Sequence, residues 1–276
     1  MAVSEKQTTP GRIEATFARL KAEGRAGLVA FLTVGYPDVA STLRLVPALV
    51  EGGADIIELG VPFSDPLAEG PTIQRSSFAA LQQGVTIGTS LEVTARLRAE
   101  GVDVPIVPMG YYNPILAYGV DAFAADAASA GADGLIVVDL PPEESEPLRR
   151  ACLKGDLRLI YLLAPTSTDE RIQRVAKLAS GFVYCVSVTG ITGARQELAP
   201  GLEAFVKRVR SFTPLPIAVG FGISQRKHFQ AVGRIADAAV IGSAIIDEID
   251  SCDPSQRESR IKAYAEVVTG RRRAAT

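Results

Sequence analysis

The sequence predicts an α/β fold in which eight parallel strands alternate with helices and close into one (β/α)8 barrel, the TIM barrel architecture. Eight short runs recur along the 276 residues, and they are nearly continuous in apolar, often β-branched residues. Strands with this pattern are buried on both faces, as in a parallel sheet covered by helices. Amphipathic stretches of helical length separate the runs, and most of them end in glycine or another small residue, as helices commonly do.

The predicted strands are the eight apolar runs. They span residues 27–35, 54–61, 104–110, 134–140, 158–165, 181–188, 215–222 and 237–244. The clearest helical stretches between them span residues 41–53, 121–132, 168–180 and 201–212. A gap of about 50 residues between the second and third strands has room for two further helices, at 72–84 and 91–101. Residues 11–23 predict an extra N-terminal helix before the first strand.

The chain shows no break in composition and no linker, so we expect a single domain over residues 1–276 with flexible ends at 1–10 and 270–276. The alternative fold is a doubly wound open sheet. That fold would require a glycine-rich nucleotide loop after the first strand, and the stretch found there, "TVGYPD", lacks the G-x-G-x-x-G pattern. The closed barrel is therefore favoured.

The composition excludes several classes of partner. Lys and Arg number 29 against 31 Asp and Glu, for a net charge of -2, so nothing predicts binding to nucleic acid or to an anionic membrane. No apolar run approaches the length of a membrane-spanning helix, and the first residues lack the apolar segment of a signal peptide. We therefore expect a cytoplasmic protein.

The few cysteines and the single histidine predict no metal site. The three cysteines are scattered without metal-ligand spacing, and His228 is the only imidazole in the chain. The same shortage argues against Ser/His/Asp catalysis. His228 falls in the first turns of a predicted surface helix, where we expect it to be exposed or to cap the helix.

The ends of the last three predicted strands carry glycine-rich stretches. These stretches are "VTGITGA", "VGFGIS" and "IGSAI". Glycines let backbone N–H groups approach an anion, and helix N-termini favour negative charge. Because the C-terminal ends of the strands form the active face of a (β/α)8 barrel, three such loops together predict a phosphate site. The alternative is that each glycine only serves a turn or a helix cap.

Glu58 is the candidate acid–base group. In "ADIIELGV", strand alternation places Ile57 and Leu59 on one face and Ile56 and Glu58 on the other. Glu58 would then point into the barrel mouth among apolar neighbours, where desolvation raises a carboxyl pKa and suits it to proton transfer near neutral pH. The alternative is an internal carboxylate tied to a hydroxyl or an amide for structural reasons.

Other strand ends contribute aromatic and polar side chains that suit a flat, mostly apolar part of a substrate. The candidates are Phe31, Thr33, Tyr111, Asn113, Asp139 and Tyr184. Together with the phosphate site and one or two carboxylates, they outline a pocket with a phosphate at one end and an apolar ring at the other. A glycosidase with paired carboxylates is disfavoured, because a phosphate cradle has no part in that reaction.

Several motifs in chain order give the sequence a family resemblance. They are "TVGYPD", "ELGVPFSDPLAEGPTIQ", "GYYNPI", "VVDLPPEE", "VTGITGAR", "GFGIS" and "IGSAI". With them the chain resembles the tryptophan synthase alpha subunit family over nearly its whole length. The resemblance implies a lyase of tryptophan biosynthesis, which cleaves indole-3-glycerol phosphate to indole and glyceraldehyde 3-phosphate by a retro-aldol reaction. It also implies an alpha chain without cofactor or metal, and a pyridoxal phosphate-dependent beta subunit as partner in an alpha2beta2 heterotetramer.

The resemblance also implies residue roles. Glu58 falls on the family's catalytic glutamate, which carries the proton between the indole ring and the glycerol hydroxyl. Substrate contacts are implied for Phe31, Tyr184, Gly193, Gly222, Gly242 and Ser243. Segments 62–70 and 188–196 match two mobile loops that close over the substrate and touch the beta subunit. Thr192 matches the threonine that links these loops to a second catalytic carboxylate.

Glu69 departs from the family pattern, in which the second carboxylate belongs to an aspartate. The change keeps the charge but moves the carboxylate outward by one methylene, about 1.5 Å. A misplacement of about 1 Å can cost on the order of 100-fold in rate, although the loop backbone can absorb it. We expect Glu69 to keep the role, which is to accept a hydrogen bond from the indole N–H.

Three other functions remain open at this point. The chain could be a stand-alone lyase that releases free indole, or a catalytically weakened regulatory subunit, since Glu69 replaces the family aspartate. A phosphosugar isomerase with the same barrel is more distant, because the "PFSDPLAEGP" loop would have no task in that reaction.

Overall fold

Eight parallel strands form a closed barrel in the computed structural model, which describes residues 11–187, 200–220 and 222–272. Each strand pairs with the next in the chain, and β8 pairs with β1, so the predicted barrel is confirmed and the open sheet is excluded. The strands are β1 (Gly27–Thr33), β2 (Ile56–Gly60), β3 (Ile106–Gly110), β4 (Gly134–Val137), β5 (Arg158–Leu163), β6 (Val183–Val186), β7 (Ile217–Gly220) and β8 (Ala238–Ile241).

Helices cover the outside of the barrel, and each predicted helix is present, including the extra one before β1. In the described part of the chain the α-helices are α1 (Arg12–Glu23), α2 (Val39–Gly52), α3 (Pro71–Gln82), α4 (Ile87–Ala99), α5 (Tyr112–Tyr118), α6 (Val120–Ser129), α7 (Glu146–Lys154), α8 (Asp169–Leu178), α9 (Leu202–Arg210), α10 (Arg226–Val232), α11 (Ser243–Asp250) and α12 (Arg257–Thr269). A short 3-10 helix, Pro254–Gln256, precedes α12. None of the described helices is long and apolar enough to cross a membrane.

Strand β2 shows the alternation that the sequence predicts. Ile56 belongs to the apolar cluster inside the barrel, whereas Ile57 and Leu59 belong to the cluster between strands and helices. Glu58 is 1% exposed and, by the same alternation, shares the inward face with Ile56. The register of the neighbouring strand puts Phe31 of β1 directly beside Glu58. The barrel interior therefore positions Glu58 next to an aromatic ring.

Helix α1 closes the N-terminal end of the barrel. Its Phe17 packs against Phe182 at the start of β6, with the ring centroids 5.6 Å apart. At the same end, the buried Asp55 accepts hydrogen bonds of 2.8 Å from both Arg19 and Arg25. These contacts fix the bottom of β2, so the functional end of the barrel lies opposite a closed and ion-paired base.

The expectation for His228 was wrong. Its helix, α10, lies in contact with α12 and with β8, and His228 is only 7% exposed. The elements packed against α10 come from other parts of the chain, so the local pattern of residues 225–232 could not reveal the burial. Of the expected flexible ends, residues 1–10 and 273–276 lie outside the described residues.

Candidate active site

A cavity of about 240 Å³ opens at the C-terminal ends of the strands. Most of the predicted site residues that the structure describes line it: Phe31, Glu58, Glu69, Tyr184, Gly222, Gly242 and Ser243. These residues come from β1, β2 and β6 and from the segments after β2, β7 and β8, and they meet because all the strands run in the same direction. Met109 and Val240, which the sequence did not single out, add apolar surface.

Glu58 is a buried carboxyl, and none of the described residues forms an ion pair with it. Its Oε2 has no hydrogen-bond partner among the described residues. Desolvation raises the pKa of Glu58 from its ordinary value of 4.5 to about 8, and the negative charge of Glu69 adds to the rise. Glu58 therefore carries a proton at neutral pH. The structural alternative, a carboxylate tied to a hydroxyl or an amide, does not fit this unpartnered oxygen.

Two glycines make room for the aromatic rings that face the cavity. A Cβ on Gly60 would lie 2.4 Å from Cζ of Phe31, and a Cβ on Gly220 would lie 2.1 Å from the hydroxyl oxygen of Tyr184. Each glycine follows an inward-facing residue of its strand by two positions, so alternation gives the signal by which the sequence could have revealed this role. Gly60 was missed, and Gly220 was assigned only to the phosphate loop.

Glu69 lies on the loop that connects β2 to α3, and its side chain reaches the cavity from above. The hydroxyl of Tyr111 donates a hydrogen bond to Oε2 of Glu69, and the same hydroxyl accepts one of 3.0 Å from the N–H of Ala68. Burial raises the pKa of Glu69, the bond from Tyr111 lowers it, and the charge of Asp139 raises it. The net shift is upward.

Both ends of this loop are fixed, whereas its middle is exposed. Near its start, the backbone of Phe63 exchanges two hydrogen bonds with the Ser77 hydroxyl, at 2.9 and 3.1 Å. Near its end, Gln74 donates to the carbonyl of Glu69 at 3.0 Å. Leu67, between them, is 90% exposed. Helix α3 thus holds the loop over the cavity at two points.

Thr33 and Tyr111 stand apart from the main cavity. The hydroxyl of Thr33 is buried and shares a 2.6 Å hydrogen bond with that of Ser76, which ties β1 to α3. Both Thr33 and Tyr111 line a smaller adjoining cavity, which shares Phe31 and Glu69 with the main one. Neither residue was predicted to contact α3 or the Glu69 loop.

Some of the residues predicted to bind the phosphate lie among the residues that the structure describes. Gly222 has a positive φ of 74°, a conformation that favours glycine, and Ser243 is the first residue of α11, whose N-terminus faces the cavity. The described lining of the cavity includes no Lys or Arg. An anion there would be held by backbone amides, a hydroxyl and the helix N-terminus. Thr192 and Gly193 lie outside the described residues.

Comparison with known proteins identifies the family. The family profile described as "Tryptophan synthase alpha chain" matches residues 17–275, which is most of the sequence. The chain belongs to this family. It is 53% identical to the tryptophan synthase alpha chain of Roseiflexus castenholzii over 94% of this chain and 99% of that protein. Family membership makes the chain a lyase of tryptophan biosynthesis that carries out the tryptophan synthase alpha reaction.

Solved structures of tryptophan synthase agree with the fold. A chain of Mycobacterium tuberculosis tryptophan synthase superposes with a TM-score of 0.87 at 37% identity, over 97% of this chain and 100% of that one. The tryptophan synthase subunit alpha of Legionella pneumophila gives 0.85 at 36% identity, over 95% and 100%. The matches support the main functional interpretation of the sequence and none of its alternatives.

Proposed function

We propose that this tryptophan synthase alpha chain cleaves indole-3-glycerol phosphate to indole and glyceraldehyde 3-phosphate, with Glu58 as proton carrier and Glu69 as the second carboxylate. The observation that carries the assignment is the pairing of two different carboxyl groups in one cavity. Glu58 is fully buried and protonated at neutral pH, and Glu69 has a hydrogen-bond donor beside it. Such a pair supplies an acid and an anion at the same time.

The first step is protonation of the indole ring. Glu58 donates its proton to C3 of the indole, which places a positive charge on the ring and its nitrogen. Glu69, as a carboxylate, accepts the hydrogen bond of the indole N–H and stabilises that charge. Phe31 and Tyr184 line the same cavity as Glu58 and would contact the ring there.

The second step breaks the bond between indole C3 and the hydroxyl-bearing carbon of the glycerol chain. The carboxylate of Glu58 takes the hydroxyl proton, the carbonyl of the aldehyde forms, and the electron pair of the broken bond returns to the indole ring. Glu58 recovers the proton that it gave, so the cycle needs no external acid, oxidant, metal or cofactor.

The substrate phosphate would lie at the far end of the cavity. Gly222, Gly242 and Ser243 offer amides, a hydroxyl and the N-terminus of α11 there, and Gly193 is assigned to the same region by resemblance. Anchoring the phosphate fixes the distance between the anion and the reacting carbon. With the phosphate fixed, the length of the substrate brings its reacting carbon close to Glu58.

The family assignment also supports a partner. We infer an alpha2beta2 assembly in the cytoplasm, in which a beta subunit with pyridoxal phosphate joins the indole to serine. No nucleic acid or membrane has a role in this scheme. Leu67, exposed at the tip of the Glu69 loop, is suited to contact such a partner and thereby to couple assembly to the position of Glu69.

The test is steady-state cleavage of indole-3-glycerol phosphate by the purified chain, alone and with a saturating cognate beta subunit. We expect slow turnover alone and strong acceleration by the partner, because the partner would order the loop. Glu69→Gln should lower kcat in both settings, whereas Glu203→Gln, an exposed residue of α9, should not. Full turnover by Glu69→Gln would reject the role of Glu69, and rapid turnover without partner would favour the stand-alone lyase.

A further inference from the structure

Tyr111 forms the only described side-chain hydrogen bond to the carboxylate of Glu69, and two further contacts hold Tyr111 itself. It follows directly after β3, its side chain is 6% exposed, and its hydroxyl accepts the N–H of Ala68 at 3.0 Å. The ring of Phe63 stacks on the Tyr111 ring with centroids 4.7 Å apart and an angle of 25° between the planes. Tyr111 thus joins the end of β3 to two points of the loop between β2 and α3, Phe63 and Ala68.

The length of the Glu69 side chain makes such a contact necessary. A glutamate has one more rotatable bond than an aspartate, so holding its carboxylate in one place costs more side-chain entropy. The catalytic geometry tolerates an error of only about 0.5 Å. A carboxylate on an exposed loop therefore needs a donor on a rigid element, and the described contacts supply one in Tyr111.

We propose that Tyr111 is a positioning residue that holds the longer side chain of Glu69 where its carboxylate can accept the indole N–H. The proposal rests on the function proposed above for Glu69. Tyr111 reaches the substrate only through Glu69, and a carboxylate that accepts one hydrogen bond from Tyr111 retains capacity for another from the substrate.

The charges around Glu69 give Tyr111 a second effect. Among the described residues, the titratable groups that interact with Glu69 are Tyr111 after β3, Asp139 after β4, Glu58 on β2 and Tyr184 on β6. Burial and Asp139 raise the pKa of Glu69, and the bond from Tyr111 opposes them. The pKa of Tyr111 is itself raised by burial and by Glu69, so its hydroxyl stays a donor. Tyr111 therefore favours the ionised form that the reaction needs.

A double-mutant cycle tests the proposal on the indole-3-glycerol phosphate reaction with saturating beta subunit. Tyr111→Phe should lower kcat by about tenfold or more when residue 69 is glutamate, since a hydrogen bond to a charged group is lost. In a Glu69→Asp background the carboxylate is withdrawn by about 1.5 Å, and Tyr111→Phe should cost less than about threefold. The hydrogen bond from the Ala68 N–H to the Tyr111 hydroxyl is lost equally in both backgrounds, so it cancels in the difference between the two effects.

The pH profile separates positioning from general loosening of the loop. Tyr111→Phe removes an interaction that lowers the pKa of Glu69, so the acid limb of kcat/KM should move to higher pH. Tyr118→Phe, which removes a 2.7 Å hydrogen bond to the exposed Asp126, is the matched control and should change neither kcat nor the profile.

Equal effects of Tyr111→Phe in both backgrounds, or an unmoved acid limb, would overturn the positioning role. That failure is distinct from failure of the proposed function. If Glu69→Gln alone retains full turnover, the role of Glu69 is wrong, whatever Tyr111 does. If Glu69→Gln is inactive and the cycle shows no coupling, Glu69 acts as proposed without help from Tyr111.

Discussion

Strand β2 has a buried carboxyl group towards each end, and the pKa values of the two groups are shifted in opposite directions. Asp55, at the N-terminal end, and Glu58, three residues later, are 2% and 1% exposed. Burial raises the pKa of Asp55, but hydrogen bonds from Arg25, Arg19 and the N–H of Leu28 outweigh it, and the net pKa is lowered. Glu58 is buried with no such donor among the residues that the structure describes, and its pKa rises to about 8.

The difference shows how one strand serves both stability and chemistry. At the closed end of the barrel, two guanidinium groups compensate the desolvation of Asp55, so its charge becomes part of the framework. At the open end, the described residues leave Oε2 of Glu58 without a partner, and its proton stays available for transfer. Removing Asp55 should therefore change stability, and removing Glu58 should change activity.

Glu58→Gln should give the largest effect, in activity alone. Loss of the proton carrier should lower kcat by about 1000-fold, within the usual range for general acid–base groups. Gln fills nearly the same volume, and it removes a carboxyl group whose Oε2 has no partner among the described residues. The variant should therefore unfold at a higher urea concentration than the parent at pH 8. A variant that loses stability in parallel with activity would show that Glu58 has a structural role after all.

Asp55→Asn should give the reverse result. The substitution removes the charge that pairs with Arg19 and Arg25, and we expect the free energy of unfolding to fall by about 3 kcal/mol, less than for a fully enclosed pair because both guanidinium groups are partly exposed. Turnover below the unfolding transition should stay near that of the parent. Urea unfolding and steady-state kinetics on the same samples measure both.

The matched control for that substitution is Asp121→Asn. Asp121 pairs with Lys154 at 3.0 Å, but both side chains are largely exposed, so we expect a change of no more than about 0.5 kcal/mol. If the two substitutions had equal effects, burial would not be what makes the Asp55 pair important.

The sequence predicts the barrel strands and their inward-facing residues better than it predicts the loop contacts at the open end of the barrel. Continuous apolar runs locate all eight strands, and alternation within β2 places Glu58 inside the barrel, because both follow from local periodicity. The bond from Tyr111 to Glu69 joins residues 42 positions apart, and it depends on the path of an irregular loop. No period in the sequence encodes such a contact. The burial of His228, on a helix in contact with α12 and β8, has the same origin.

The pH dependence of stability gives the finest test of the comparison. The folded-state pKa of Glu58 lies above its ordinary value of 4.5, so between pH 4.5 and about 8 the folded protein keeps a proton that the unfolded chain releases. Glu58 therefore destabilises the folded state progressively as the pH rises through this window, by about 1.4 kcal/mol per pH unit.

The contribution of Asp55 to the pH dependence of stability has the opposite sign. Its lowered pKa contributes stability that is fully present above its unfolded value and is lost as the pH falls through the folded one. We expect the difference in unfolding free energy between Glu58→Gln and the parent to grow from pH 5 to pH 8, and that between Asp55→Asn and the parent to stay level there. Urea titrations at four pH values measure both differences. A flat difference for Glu58→Gln would mean that Glu58 ionises normally in the folded chain, and the contrast between the two ends of β2 would then rest on geometry alone.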